Sequence, residues 1–112
     1  MATRYIRQFS LKDSLNDKHV ADFWKSLLNE FIPACEAVKG VRSVKVFSGA
    51  GALRADITLV ADLDDAGAYE AILHDPGVHK VLGSFYGAMD LKSSTQRFIR
   101  EVTADLLKAL SS

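Results

Sequence analysis

An alternating stretch from Leu53 to Leu63 constrains the fold more than any other part of the chain. Its apolar residues recur at every second position, and between them lie Arg54, Asp56, Thr58 and Val60. Strand side chains alternate between two faces, so the apolar face of this predicted strand must be buried under helices. The other face carries a mixture of charged and small side chains.

A long helix precedes this strand. Apolar residues from Val20 to Val38 recur at helical spacing and form the strongest periodicity in the sequence. Ser14, followed by Asp17, predicts the helix start. Pro33 predicts a kink because it lacks a backbone donor, and Gly40 is expected to end the helix.

Three other segments are rich in β-branched and aromatic residues. They predict strands at Thr3–Ser10, Val41–Ser48 and Thr95–Val102, the last of them after a polar linker, Lys92–Ser94. Gly49–Gly51 predicts the turn of a hairpin, because glycine tolerates a positive φ.

Two shorter helices and a terminal one complete the pattern. Asp64 or Asp65 is expected to cap a helix that ends near His74. Asp75–Pro76 predicts the cap and first residue of the next helix, and Thr103 the cap of a terminal one. The order strand, helix, strand, strand, helix, strand predicts an α+β, ferredoxin-like βαββαβ fold, with a four-stranded antiparallel sheet and helices on one face.

Composition restricts what such a domain can do. The 112 residues fit a single domain spanning 1–112, and 14 basic against 14 acidic residues give zero net charge, so binding to nucleic acid is not expected. Cys35 is the only cysteine, which favours a reducing cytoplasm. No uncharged apolar run reaches the roughly 18–20 residues that cross a bilayer, so no membrane association is expected.

The sheet face opposite the helices needs a cover or must face water. A mixed polar and aromatic face suits a lined cavity, and two such sheets facing each other would enclose one, so we expect a homodimer that binds a small organic ligand. The alternative is that the charged residues simply solvate an open face.

Candidate ligand-binding residues come from three strands: Tyr5, Arg54, Asp56, Thr58, Phe98 and Arg100. Arg54 and Asp56 would present a cation and a carboxylate on one face, or they would pair with each other or with a partner subunit. The first and last strands alternate poorly, so their facing stays open, and Arg97 replaces Arg100 if the register is reversed.

His79 is the candidate for acid–base catalysis, because an imidazole exchanges protons near neutral pH. The alternative is a surface or packing histidine. No pair of histidines has the spacing of a metal-binding helix, so we expect no metal, and no nucleotide or phosphate motif is present.

Two segments carry a family resemblance. Pro33–Val46 resembles the helix-to-strand junction of the dimeric α+β barrel superfamily, and Tyr69–Leu82 resembles its later apolar helix with a proline and a histidine. The stress-responsive A/B barrels and the antibiotic-biosynthesis monooxygenases are the most similar families. The resemblance implies a homodimeric barrel with a cavity for an aromatic or polyketide-like molecule.

The same resemblance implies two kinds of activity. His79 lies where stress-responsive barrels carry a histidine, and that histidine serves as a general base in a polyketide cyclase of this group. The expected enzyme is a cofactor-free monooxygenase or cyclase. The alternative is a non-catalytic assembly module whose second sheet face is only a subunit interface.

Overall fold

A computed structural model describes residues 2–49 and 53–111 of the chain. Its strands are β1 Thr3–Leu11, β2 Val41–Phe47, β3 Ile57–Leu63 and β4 Met89–Ile99. Its helices are α1 Asp17–Ser26, α2 Ile32–Glu36, α3 Gly67–His74, α4 Pro76–Ala88 and α5 Ala104–Ser111, with a π-helical turn, Leu27–Phe31, joining α1 to α2. Ala50 and Gly51, two residues of the predicted turn, lie outside the described residues.

The four strands form one antiparallel sheet in the order β2-β3-β1-β4. Strands β1 and β2 flank β3. The helices that join β1 to β2 and β3 to β4 cover one face of the sheet. This arrangement confirms the predicted ferredoxin-like fold with four antiparallel strands.

The core lies between that face and the helices. Strand β3 contributes Ile57, Leu59, Ala61 and Leu63, all buried, as the alternation predicts. Helices α1 and α4 and the π-helical turn cover them with an aromatic group that includes Phe23, Phe31 and Phe85. The rings of Phe31 and Phe85 stack with their centroids 4.5 Å apart.

Strand β3 begins later than the sequence predicts. The alternation places its start at Leu53, but the ladder with β1 begins at Ile57, opposite Phe9. Asp56 has a φ of 55°, which is outside the extended region and turns the chain immediately before the strand. The predicted position of Arg54 and Asp56 on a strand face is therefore wrong.

Strand β4 begins earlier than predicted and ends at Ile99 instead of Val102. The predicted linker is part of the strand because Ser93 bridges an irregularity in the ladder. Its hydroxyl accepts a 2.8 Å hydrogen bond from the Ser10 amide and donates one of 2.8 Å to the carbonyl of Asp90. A side chain replaces the backbone partner where the register shifts between Gln8 and Ser10.

Three helix boundaries differ from the sequence prediction or refine it. Helix α1 is capped by Asn16, not Ser14, and the Asn16 side chain accepts a 2.8 Å bond from the His19 amide. The helix before Pro33 relaxes into a π-helical turn, which accommodates the missing backbone donor. Helix α3 has Ala66 at its N-cap position with no side-chain cap, so neither Asp64 nor Asp65 serves there.

Candidate functional site

An arginine lies on the helix-covered face of the sheet, where apolar side chains are the rule. Arg7 shares this face of β1 with Tyr5 and Phe9 and is partly buried. Its Nη1 donates a 3.0 Å hydrogen bond to the Tyr86 hydroxyl, and its Nε donates one of 3.2 Å to the Ser94 hydroxyl. The guanidinium carbon lies 5.1 Å from the centre of the Tyr86 ring, within cation–π range.

Three aromatic rings form a wall beside Arg7. Tyr5 lies with its ring centre 4.5 Å from that of Tyr69 and 5.1 Å from that of Phe98. The Tyr69 and Phe98 rings meet edge to face at 5.2 Å. The Tyr5 hydroxyl donates a 2.7 Å hydrogen bond to Oε1 of Gln96, which fixes the orientation of that phenol. We call Tyr5, Arg7, Tyr69, Tyr86, Gln96 and Phe98 the arginine–tyrosine cluster.

The cluster borders a narrow cavity between the sheet and the helices. The cavity has a volume of about 60 Å³, and its other walls are apolar side chains from β2, β3, α3 and α4, together with Phe31 and Cys35. Since a water molecule occupies about 30 Å³ of liquid, this space holds no organic ligand without movement of its walls. Phe98, on the edge strand β4, lies beyond the cavity lining and is about half exposed.

Burial and neighbouring hydroxyl groups shift the pKa values of Tyr5 and Arg7. Burial raises the pKa of the Tyr5 phenol well above its usual value, so Tyr5 stays protonated and donates to Gln96. Burial alone would lower the pKa of Arg7, but the neighbouring Tyr5 and Tyr86 oxygens outweigh it and raise that pKa. The site therefore holds the Arg7 cation beside the protonated Tyr5 phenol. Burial also raises the pKa of the Cys35 thiol to about 12, which makes it a poor nucleophile.

Tyr5 and Phe98 are the two sequence-predicted ligand residues that the structure brings together. Thr58 lies on the opposite, open face of the sheet, where its hydroxyl accepts a 3.2 Å bond from Gln8 Nε2. Arg54 donates to the Leu15 carbonyl at 2.8 Å and to Asp17 at 2.7 Å, and so joins the loop before β3 to the start of α1. The predicted ligand set is thus divided among separate regions.

The remaining predicted residues lie apart from the cluster. His79 is exposed on the first turns of α4, and its Nε2 contacts the carbonyl of Leu73 at the end of α3. Arg100 follows β4 and borders a cleft at the end of the sheet that also includes Arg4 and Asp62. Asp56 lies against Gly49 in the loop before β3. Catalytic and binding roles for these residues stay predictions.

Four residues of the cluster were absent from the predicted set: Arg7, Tyr69, Tyr86 and Gln96. A signal for Arg7 exists in the sequence, because it alternates with Tyr5 and Phe9 and so must lie on their face. Tyr86 and Gln96 lie 79 and 89 residues further along the chain. Only the fold brings them to Arg7.

The open face of the sheet contains a charged pair beside apolar residues. Arg4 Nε donates to Asp62 at 2.7 Å, which lowers the pKa of that carboxyl. Ile6 and Val60 are cross-strand neighbours at the centre of the same face. Within residues 2–49 and 53–111, no group of three acidic, histidine or cysteine side chains is arranged to hold a metal ion. No helix in those ranges is long and apolar enough to cross a membrane.

Comparison with known proteins yields similarity of fold and not of sequence. No protein-family model matches the chain, and no curated protein matches it significantly. A dimeric ferredoxin-like protein of unknown function from Thermobifida fusca superposes with a TM-score of 0.70 and 20% identity, covering 90% of this chain and 92% of that one.

Two other solved structures carry assigned activities. SnoaB, a cofactor-independent oxygenase from Streptomyces nogalater, has a TM-score of 0.68 and 9% identity over 92% of this chain and 95% of its own. A protein from Chloroflexus aurantiacus, provisionally assigned as an antibiotic biosynthesis monooxygenase, has a TM-score of 0.64 and 16% identity over 93% and 96%. The resemblance found in the sequence is confirmed at the level of the fold.

Proposed function

We propose that this chain forms a homodimer through its open sheet faces and binds a small, anionic aromatic or polyketide-like molecule at the arginine–tyrosine cluster. The observation that carries the proposal is the partly buried Arg7 guanidinium at the edge of an apolar cavity. A buried cation is retained where it has an anionic or π-rich partner. In the part of the chain that the structure describes, its partners are the Tyr86 ring and the hydroxyls of Tyr86 and Ser94 and not a carboxylate, which leaves its charge available to an anionic ligand.

Planar chemistry fits the walls of this site. The rings of Tyr5, Tyr69 and Phe98 present faces and edges at distances of 4.5 to 5.2 Å from one another. A flat aromatic molecule would replace one of these ring contacts with a similar one. Its phenolate, enolate or carboxylate would lie against Arg7, with the Tyr86 hydroxyl as a second hydrogen-bonding group.

The enzymatic form of the proposal is a cofactor-free monooxygenase or cyclase. If an aromatic or polyketide substrate reacts in an anionic form, Arg7 would stabilise that anion by charge and hydrogen bonding. His79, on the outer surface of α4, would act as a base only if a substrate reached it there. The similar folds of SnoaB and the Chloroflexus protein support this class of activity by analogy alone.

Ligand binding is tested with salicylate, a planar aromatic anion, and phenol as its neutral counterpart, each titrated by calorimetry. Wild-type protein is expected to bind salicylate more tightly than phenol. Arg7→Gln is expected to weaken salicylate binding at least tenfold and to change phenol binding little. Arg54→Gln serves as the matched control, because it removes a cation that the sequence also nominates but that lies outside the cluster.

A second candidate function is a non-catalytic assembly module, and the small volume of the cavity, about 60 Å³, favours it. Ligand pockets commonly enclose about 300–1,000 Å³. If neither salicylate nor phenol shows saturable binding, or if Arg7→Gln and Arg54→Gln behave alike, the ligand-binding proposal fails. The assembly module would then be the better description.

A further inference from the structure

The C-terminal arm, residues 98–111, carries most of the exposed apolar side chains of the molecule. Within the described residues, nine large hydrophobic side chains are exposed, and five of them belong to the arm. These five are Phe98, Ile99, Val102, Leu107 and Leu110. Phe98 lies on the helix-covered face of the sheet and Ile99 on the open face, whereas Val102, Leu107 and Leu110 follow the sheet. Exposed apolar side chains in such number mark a candidate interaction surface.

The molecule is elongated, and α5 lies outside its core, because Leu106 is buried but does not belong to the core cluster. The radius of gyration is 15.7 Å, whereas a compact chain of this length has one of about 13 Å. The molecule measures 56 × 30 × 21 Å along its principal axes, so it is almost twice as long as it is wide. Ile99 is the last residue of β4, and the chain beyond it reaches helix α5 through a short irregular segment.

Helix α5 needs a packing partner to be stable. It has only eight residues, and isolated helices of this length are marginal in water. Thr103 caps it by accepting a 3.1 Å bond from the Leu106 amide, as the sequence predicts. Leu106 is buried, but Leu107 and Leu110 are 58% and 71% exposed. The helix thus presents a second apolar side without a cover.

The arm is continuous with the open face of the sheet. Ile99 pairs with Arg4, and both side chains lie on the face that also holds Ile6 and Val60. A partner that covers this face would therefore meet the root of the arm as well. The arm carries both signs of charge, with Arg100 and Lys108 near Glu101 and Asp105, which favours a neutral protein surface over a polyanion.

We propose that the C-terminal arm packs on a second copy of this chain, where Leu107 and Leu110 are buried against the partner subunit. This inference rests on the proposed dimer and extends it, because it assigns part of the interface to a segment outside the sheet. Each arm extends from the edge of its own sheet onto the other protomer. The exchange stabilises the dimer and orders α5.

The first test measures the dimer dissociation constant by light scattering across a dilution series. The variant that combines Leu107→Gln and Leu110→Gln keeps good helix formers and removes both apolar contacts. It is expected to raise the dissociation constant at least tenfold. Leu28→Gln is the control, because Leu28 is 51% exposed on the π-helical turn, away from the arm, and should leave the constant unchanged.

A second measurement keeps the test decisive if the variant unfolds the arm. An environment-sensitive dye is attached to the new cysteine of the Leu110→Cys variant, and its emission wavelength is measured as the protein is diluted. The buried Cys35 stays unlabelled. The dye emission is expected to shift to the blue as the dimer forms. A dye at Leu28→Cys should show no shift.

The possible results separate the arm from the sheet interface. The arm proposal is overturned if the wild-type protein is a dimer, the Leu107→Gln and Leu110→Gln variant has the same dissociation constant, and the dye at position 110 shows no shift. The sheet interface would then remain supported. A wild-type protein that is a monomer at every concentration overturns both. A dimer that loses affinity through the arm variant but not through substitution of the open face supports the arm and overturns the sheet-face interface.

Discussion

Both the backbone conformation and the packing around residue 40 require a glycine there. The φ of Gly40 is +94°, a region that L side chains rarely adopt, and its carbonyl accepts a 2.8 Å bond from the Asp64 amide. A Cβ at this position would lie 3.0 Å from the Cβ of Ala68 on α3. The close approach of α3 to the start of β2 therefore depends on the absence of a side chain.

Gly40→Ala is expected to lower the free energy of unfolding by about 2 kcal/mol, from the cost of the positive φ and the tight contact with Ala68. Gly83→Ala is the matched substitution, because a Cβ there meets nothing within 4 Å and the residue lies inside α4. It should raise stability by about 0.5–1 kcal/mol. Urea unfolding measures both, and equal effects would show that Gly40 is not structurally required.

For the arginine–tyrosine cluster, the sequence predicts which face of β1 Arg7 lies on but not which side chains it contacts. Alternation along β1 is a local property and places Tyr5, Arg7 and Phe9 on one face, as the structure has them. The hydroxyls that receive Arg7 come from Tyr86 and Ser94, on α4 and β4. These contacts form between residues that are far apart in the sequence, and a local sequence pattern does not predict which distant elements pack together.

At the scale of elements, the sequence predicts secondary structure correctly where a periodic pattern runs over many residues. It fails where side chains take the place of backbone hydrogen bonds. The buried face of β3 follows from its alternation, but its start does not, since alternation continues through Arg54 and Asp56 into a bend. Strand β4 extends through Ser93 because a serine hydroxyl completes the ladder. Polar residues such as these normally indicate a loop.

The start of α1 gives an element-scale prediction. Asn16→Ala removes the side-chain acceptor of the His19 amide and is expected to lower the free energy of unfolding by about 1 kcal/mol. Ser14→Ala is the control, because the sequence nominates Ser14 as the cap but the helix begins after Asn16. It should change stability by less than about 0.5 kcal/mol. Thermal unfolding compares the two, and a larger loss for Ser14→Ala would place the helix start at the predicted residue.

At the scale of the whole molecule, the sheet is covered on one face only. Its open face combines Ile6 and Val60 at the centre with the Arg4–Asp62 pair toward one end. A single chain leaves this face in water, and antiparallel sheets tolerate that. The homodimer proposed above would cover this face.

Val60→Glu tests that interface directly. In a single chain the new carboxylate would lie beside Lys45, its cross-strand neighbour on β2, so the fold should tolerate it. Between two sheets it would be a buried charge close to its symmetry mate, which costs several kcal/mol. Light scattering is therefore expected to change from about twice 12.3 kDa for wild-type protein to 12.3 kDa for the variant at the same concentration.

Leu28→Glu is the control for charge alone, because Leu28 is exposed on the helical side of the molecule. It should remain a dimer. Circular dichroism and thermal unfolding establish that Val60→Glu is folded, so that a lower mass reports dissociation and not denaturation. A folded Val60→Glu protein that stays dimeric would place the subunit interface elsewhere, whereas the arginine–tyrosine cluster, on the helix-covered face of the same chain, would be unaffected.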